Sequence, residues 1–309
     1  MIRKPLLLAM NFAVLLKQDD LTSERVLALL HSNESFRGLS GREGEDMIRR
    51  DVEDETKLSL GIKIAVAKGV LKANIGVAPI CKIDVVGKSA DDVATEILGK
   101  LHSKEGNVLV LQGLSGTGKG TTVKKLQAAL PKCVCWSNGN VFRSITHLVS
   151  EHCSEKKVEF ASSVLTADLL KTTVQRLSFQ DMGEDMFDVV IDNHLRVSTI
   201  QNTLLKMPHI SSRVPTVAEQ TQGEVIHFAA AAVETLRLAG CNVILEGRAQ
   251  TLNYIPTPYR FELVIPDPVL LGQRRAAQRV MAVALSTVCQ TSSEADVEEA
   301  VLNAATSLK

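Results

Sequence analysis

Residues 107–126 read NVLVLQGLSGTGKGTTVKKL, and few folds accommodate that order of events. An apolar β-type run, Val108–Leu111, leads into a loop holding Gly113, Gly116 and Gly118; Lys119 follows, and then a helical pattern. Glycine permits backbone turns that other residues resist, so several N–H groups can converge ahead of the helix. A helix start carries partial positive charge and unsatisfied donors, which suits an anion. The spacing Gly113-x4-Gly118-Lys119 fits the phosphate-loop pattern except at its last place, where Gly120 replaces Ser or Thr. Ser115 and Thr117 complete the loop, and Lys119 is placed to reach terminal phosphates. Thr121 or Thr122 has to supply the hydroxyl that such a loop offers to Mg²⁺.

Downstream, strands and helices alternate. Helical material is expected over 121–130, from Asn140 to about Lys171, over 218–238, from about Leu270, and at the C-terminus. Strands are expected at Cys133–Trp136, Asn242–Leu245 and Phe261–Ile265, and two further β-like runs at Thr173–Phe179 and Phe187–Asp192. This order predicts an α/β fold with a parallel sheet flanked by helices, and ligands at the strand C-terminal ends.

Residues 1–105 read as a separate α+β unit of unassigned role, preceding a domain at 106–309. Asp20–Ser32 has a helical stripe; 36–57 is densely charged and reads as loop plus a solvated, salt-bridged helix. Leu58, Leu60, Ile62, Ile64 and Val66 alternate at period two, which favours a strand over a helix. Cys81–Val86 is a second strand, and Ser89 caps a helix over Val93–Leu101. The stretches KSADDVATEIL and SSEADVEEAVL, at 88–98 and 292–302, echo one another, as a remnant of duplication would.

Composition narrows the partners. Thirty-five Lys+Arg balance 35 Asp+Glu, and aromatic residues are only 4%, which argues against nucleic acid and an acidic membrane surface. Six scattered cysteines, with one C-x-C at Cys133-Val-Cys135, read as reduced, mostly buried thiols of a reducing compartment. The apolar run near the N-terminus is too short to span a membrane and reads as a buried first helix. The expected location is the cytoplasm, with a mitochondrial presequence as the alternative. A monomer is expected, with assembly through residues 1–105 as the alternative.

Four stretches together carry a resemblance: GLSGTGKGTT (113–122), SNGNVFRS (137–144), DVVIDNHLRVSTIQNT (188–203) and VILEGRA (243–249). In this order they resemble the bacterial-type cytidylate kinases, a P-loop nucleoside monophosphate kinase family, over about residues 107–309. The resemblance implies a P-loop fold with a small inserted β-rich subdomain for the monophosphate. It implies transfer of a phosphoryl group from ATP to CMP or dCMP, with Mg²⁺. Phosphoryl transfer needs cations more than a base, because charge spreads over the transferring group. By resemblance, Arg143 and Arg248 grip the acceptor phosphate, with Asn138, Gly139, Ser212 and Arg213 around the acceptor. Arg274, Arg275 and Arg279 open a shortened lid, and Glu246 stands with Thr121 beside the metal.

The sequence departs from the family in its base pocket. The arginine and aspartate that contact cytosine in the family correspond to Ala218 and Ala249, and Ser137 replaces an aspartate. Losing paired polar contacts can forfeit several powers of ten in discrimination. CMP is therefore only the family default. The alternatives are another acceptor, or a nucleotide-binding protein with a structural or regulatory role.

Overall fold

The computed structural model describes residues 10–17, 20–184 and 186–308. In chain order the elements are α1 (Phe12–Lys17), α2 (Asp20–Leu30), α3 (Glu34–Ala67), β1 (Cys81–Asp84), α4 (Ala90–Leu98), β2 (Val108–Gly113), α5 (Lys119–Ala129), β3 (Cys133–Trp136), α6 (Asn138–Lys156) and α7 (Ala167–Gln175). They continue as β4 (Leu177–Gly183), β5 (Met186–Ile191), β6 (Leu195–Arg196), α8 (Val197–Ile200), α9 (Pro208–Ser211), α10 (Val214–Leu238), β7 (Asn242–Gly247), α11 (Ala249–Leu252), β8 (Tyr259–Val264), α12 (Pro268–Leu285) and α13 (Glu294–Ser307). The apolar run before residue 10 lies outside the described residues. No helix among the described residues is long and apolar enough to cross a membrane.

Five strands form one parallel sheet in the order β1-β8-β2-β7-β3. The central strand β2 is buried on both faces, which is why Val108–Leu111 reads as an unbroken apolar run. Its side chains alternate between two cores. Leu109 and Leu111 join Val93, Ile97, Val123 and Leu126 under α4 and α5; Val108 and Val110 join Val233 and Leu236 of α10. Burying each such side chain is worth roughly 1.5–3 kcal/mol. All five strands run the same way, so their C-terminal ends share one edge, where ligands of open α/β sheets bind. A separate antiparallel sheet, β4-β5-β6, lies outside this frame. Its three-residue β5–β6 turn, Asp192 to His194, holds Asp192 and Asn193 in the left-handed region at φ 51° and 60°, which Asp and Asn tolerate.

The segment before residue 105 is woven into the same structure. β1 pairs with β8, and Ile83, Val93 and Ile97 sit in the core under α4 and α5. Both helices of the sequence echo are closed by capping boxes, Ser89 with Asp92 and Ser293 with Asp296. Residues 58–66, with their alternating apolar pattern, belong to α3 rather than to a strand. The buried positions there are Gly61 and Ala65, one helical turn apart, while Leu60 is exposed. A Cβ on Gly61 would come 2.4 Å from the Gln222 side chain of α10, so small size selects the buried face. The charged stretch 36–57 is likewise continuous helix, with Phe36, Leu39, Ser40, Glu43, Gly44, Met47 and Asp51 buried at three- and four-residue intervals. Gly44 faces Gly272 of α12, where an added Cβ would lie 2.2 Å from the Ser40 carbonyl oxygen. Residues 173–175, expected to be β-like, end α7 instead, and β4 starts at Leu177.

Candidate active site around the glycine loop

Between β2 and α5 the backbone takes left-handed conformations at Gly116 (φ 80°) and Gly118 (φ 83°). Gly113 has φ 148° and a close neighbour: a Cβ there would lie 2.5 Å from the Leu263 carbonyl oxygen of β8. Gly118 caps α5 without any side-chain hydrogen bond, so the first N–H groups of that helix carry no side-chain cap. These groups open into a cleft of about 570 Å³. Lys119, Thr121 and Lys124 of α5, Glu246 of β7, Arg275 of α12 and Arg50 of α3 all line it.

Lys119 Nζ donates to the Leu114 carbonyl at 2.8 Å. Burial, and to a lesser degree Arg248, push its ammonium below the usual lysine range, against the pull of Glu246 and Asp51. Thr121 and Glu246 both face the cleft, whereas Thr122 is 2% exposed and faces the core. Of the two expected hydroxyls, Thr121 is thus the one presented to a ligand. A hydroxyl and a carboxylate are hard oxygen donors of the kind Mg²⁺ takes when phosphates and waters complete its shell. Among the described residues no cluster of three His, Cys, Asp or Glu side chains forms a protein-only cage. Thr121 and Glu246 are two donors of that class on one cleft wall.

The largest surprise is what α3 brings to the loop. The Asp51 carboxylate accepts from Ser115 N at 2.9 Å and Ser115 Oγ at 2.7 Å, and it pairs with the Arg248 guanidinium. Burial alone would raise its pKa, but the hydrogen bonds from Arg248 and Ser115 outweigh burial and hold the carboxyl below the usual aspartate range. Two turns earlier, Glu43 pairs with Arg279 and lies 3.7 Å from Arg275. Two arginines expected at the lid and one expected at the acceptor phosphate are therefore held by carboxylates of the N-terminal segment.

The remaining expected residues are dispersed. Arg274 is half-buried on α12 and is not part of the cleft wall. Arg143 folds back over the start of α6, its Nη1 lying 3.0 Å from where a Gly139 Cβ would be. Asn138 accepts from Trp136 Nε1 at 2.7 Å. Arg213 stacks over Phe160 at 4.8 Å and lines a different cleft with His147 and His209. Ser212 donates to the His209 carbonyl at 3.3 Å. Arg248 Nη1 and Gln250 Oε1 are buried and have no hydrogen-bond partner among the described residues; the same holds for four other side-chain atoms, of Gln112, Gln222, Glu224 and Arg260.

Sequence reasoning missed Arg50, Asp51 and Glu43, because a dense charge run usually marks a solvated face. The available signal was the four-residue spacing of Glu43, Met47 and Asp51, which becomes a buried stripe once the segment is helical. No protein-family model matches this chain, and no curated protein matches it at significant similarity.

Proposed function

We propose that this chain is a P-loop phosphotransferase of nucleoside monophosphate kinase type, using ATP and Mg²⁺. One observation carries the reading: the three-glycine loop opens α5 with no side-chain cap, onto a cleft whose walls gather Lys119, Lys124, Arg50 and Arg275. The loop N–H groups and Lys119 would bind the donor phosphates. Thr121 and Glu246 would hold Mg²⁺, which supplies charge neutralisation on the transferring group. Arg50 takes the share of the lid that Arg279 gives up to Glu43. Arg248, by sequence resemblance, would supply the acceptor end. The acceptor is a nucleoside monophosphate, with CMP or dCMP first by sequence resemblance.

A second reading, nucleotide binding without rapid transfer, has one specific observation in its favour. Arg248 is engaged by Asp51, so an acceptor phosphate has to compete for it.

ADP production from ATP, measured against CMP, dCMP, UMP, AMP and GMP, tests both. Turnover with at least one acceptor is the expected result. ATP binding with no turnover on the panel favours the second reading, and absence of ATP binding removes both. Arg50→Ala is expected to weaken ATP binding about tenfold, the scale of one charge-assisted hydrogen bond, with the melting temperature unchanged. Isothermal titration of the full chain checks it, and an unaltered affinity would take Arg50 out of the site.

A further inference from the structure

Asp51 does more than neutralise Arg248. Three donors of different origin converge on its two oxygens: the Ser115 N–H at 2.9 Å, the Ser115 hydroxyl at 2.7 Å and the Arg248 guanidinium. Arg248 Nη2 also lies 3.5 Å from Ser115 Oγ, so the three form one constellation rather than separate contacts. A loop amide, a hydroxyl and an arginine fork are the groups that hold a phosphate oxygen. Ser115 is itself part of the wall of the phosphate cleft. The same helix repeats the arrangement at Glu43, which pairs with Arg279 and lies 3.7 Å from Arg275, another residue of that wall. Both carboxylates belong to the buried stripe of α3.

We propose that α3 is an internal anionic plug: the Asp51 carboxylate fills an oxyanion subsite made by Ser115 and Arg248, and a phosphate binds there only by displacing it. The proposal rests on the reading of the glycine loop as a phosphate site and adds a regulation of it. Carboxylate and phosphate oxygens compete for the same donors, and two like charges side by side repel. Binding therefore draws on the fraction of molecules in which Asp51 has turned away, and the apparent affinity falls by that fraction. Room to turn exists. A groove between α3 and the loop runs beside Asp51, and its walls at Ile48, Val52 and Leu114 are exposed at the surface. Glu43 adds to the effect by drawing Arg275 away from the cleft.

The test measures binding of inorganic pyrophosphate to the full chain by isothermal titration, below the melting temperature of each variant. Wild type is compared with Asp51→Asn, Glu43→Gln and Asp54→Asn. Asparagine keeps the shape of aspartate and one oxygen for the Ser115 donors, so charge is the main property removed. Asp54 is exposed on the same helix and controls for net charge. Pyrophosphate is expected to bind about tenfold more tightly to Asp51→Asn and about threefold more tightly to Glu43→Gln, with Asp54→Asn at the wild-type value.

Unchanged or weaker binding in Asp51→Asn overturns the proposal, because Asp51 then only positions the loop. An equal gain in Asp54→Asn overturns it as well, since a diffuse charge effect suffices. If Asp51→Asn does not fold, Glu43→Gln decides alone, and an unchanged affinity there is fatal. Assaying the same proteins for ADP production separates this proposal from the reading beneath it. Tighter pyrophosphate binding without turnover on any monophosphate keeps the plug and removes the kinase. Turnover in the wild type with no gain in Asp51→Asn does the reverse.

Discussion

Lys119→Ala is expected to lower phosphoryl transfer about 10²- to 10³-fold, the usual cost of removing one preorganised charge donor from a transition state. The fold should be indifferent to the change. Lys119 makes one hydrogen bond, to its own loop at Leu114, and burial penalises its charge rather than rewarding it. Its ammonium pKa is lowered on folding, so the charged form costs stability at neutral pH and its removal does not lower the melting temperature. The discriminating measurement pairs steady-state kinetics with a melting curve taken with and without ATP. Loss of both turnover and the ATP-induced shift, at an unchanged apo melting temperature, is the expected pattern. Full turnover in Lys119→Ala would sink the proposed mechanism.

Asp51→Ala acts through stability instead. The side chains of Asp51 and Arg248 retain 7% and 16% of their exposure, so alanine leaves a guanidinium largely buried with no counter-charge. Orphaning one member of such a pair costs about 3 kcal/mol, which in a chain of this size is a fall of roughly 5–10 °C in melting temperature. Ser115 N and Oγ lose their acceptor as well, so the glycine loop should loosen, measurable as faster amide exchange around residue 115. The pH dependence has a definite sign. Because the folded-state pKa of Asp51 lies below the ordinary value of 3.8, its contribution is fully present above that value and is lost as pH falls below it. In an acid titration of stability the wild type should converge on Asp51→Ala below about pH 4. Parallel curves for the two proteins across that range would show that the pair does not act as described.

The sheet was legible because its strands announce themselves. Val108–Leu111 and Val243–Leu245 are unbroken apolar runs, and burial on both faces leaves a strand few other residues to use. The loop was legible because its conformation admits little but glycine. What escaped was α3. Its buried stripe mixes Phe36, Leu39 and Met47 with Ser40, Glu43, Gly44, Asp51 and Gly61, so hydropathy marks it only in part. Close approach to α12 and α10 rewards small residues, and the salt bridges reward acids; both kinds of contact depend on partners more than 150 residues away in sequence, at Gln222, Arg248, Gly272 and Arg279. The same blindness applies around Arg248. The polar atoms of Arg248 and Gln250 acquire meaning only when the structure shows them buried and unpartnered.

The pairing of β1 with β8 has a consequence for how the protein is made. One strand leaves the ribosome early and its neighbour late, so Ile83, Val93 and Ile97 must wait for Phe261 and Leu263 before their core can close. At ordinary translation rates that interval is on the order of ten seconds. Throughout it, Ile83 of β1 lacks Phe261 and Leu263, the neighbours its core needs. Contacts so distant along the chain also slow the search that follows release. Chaperone binding to newborn copies of this protein is expected during that interval.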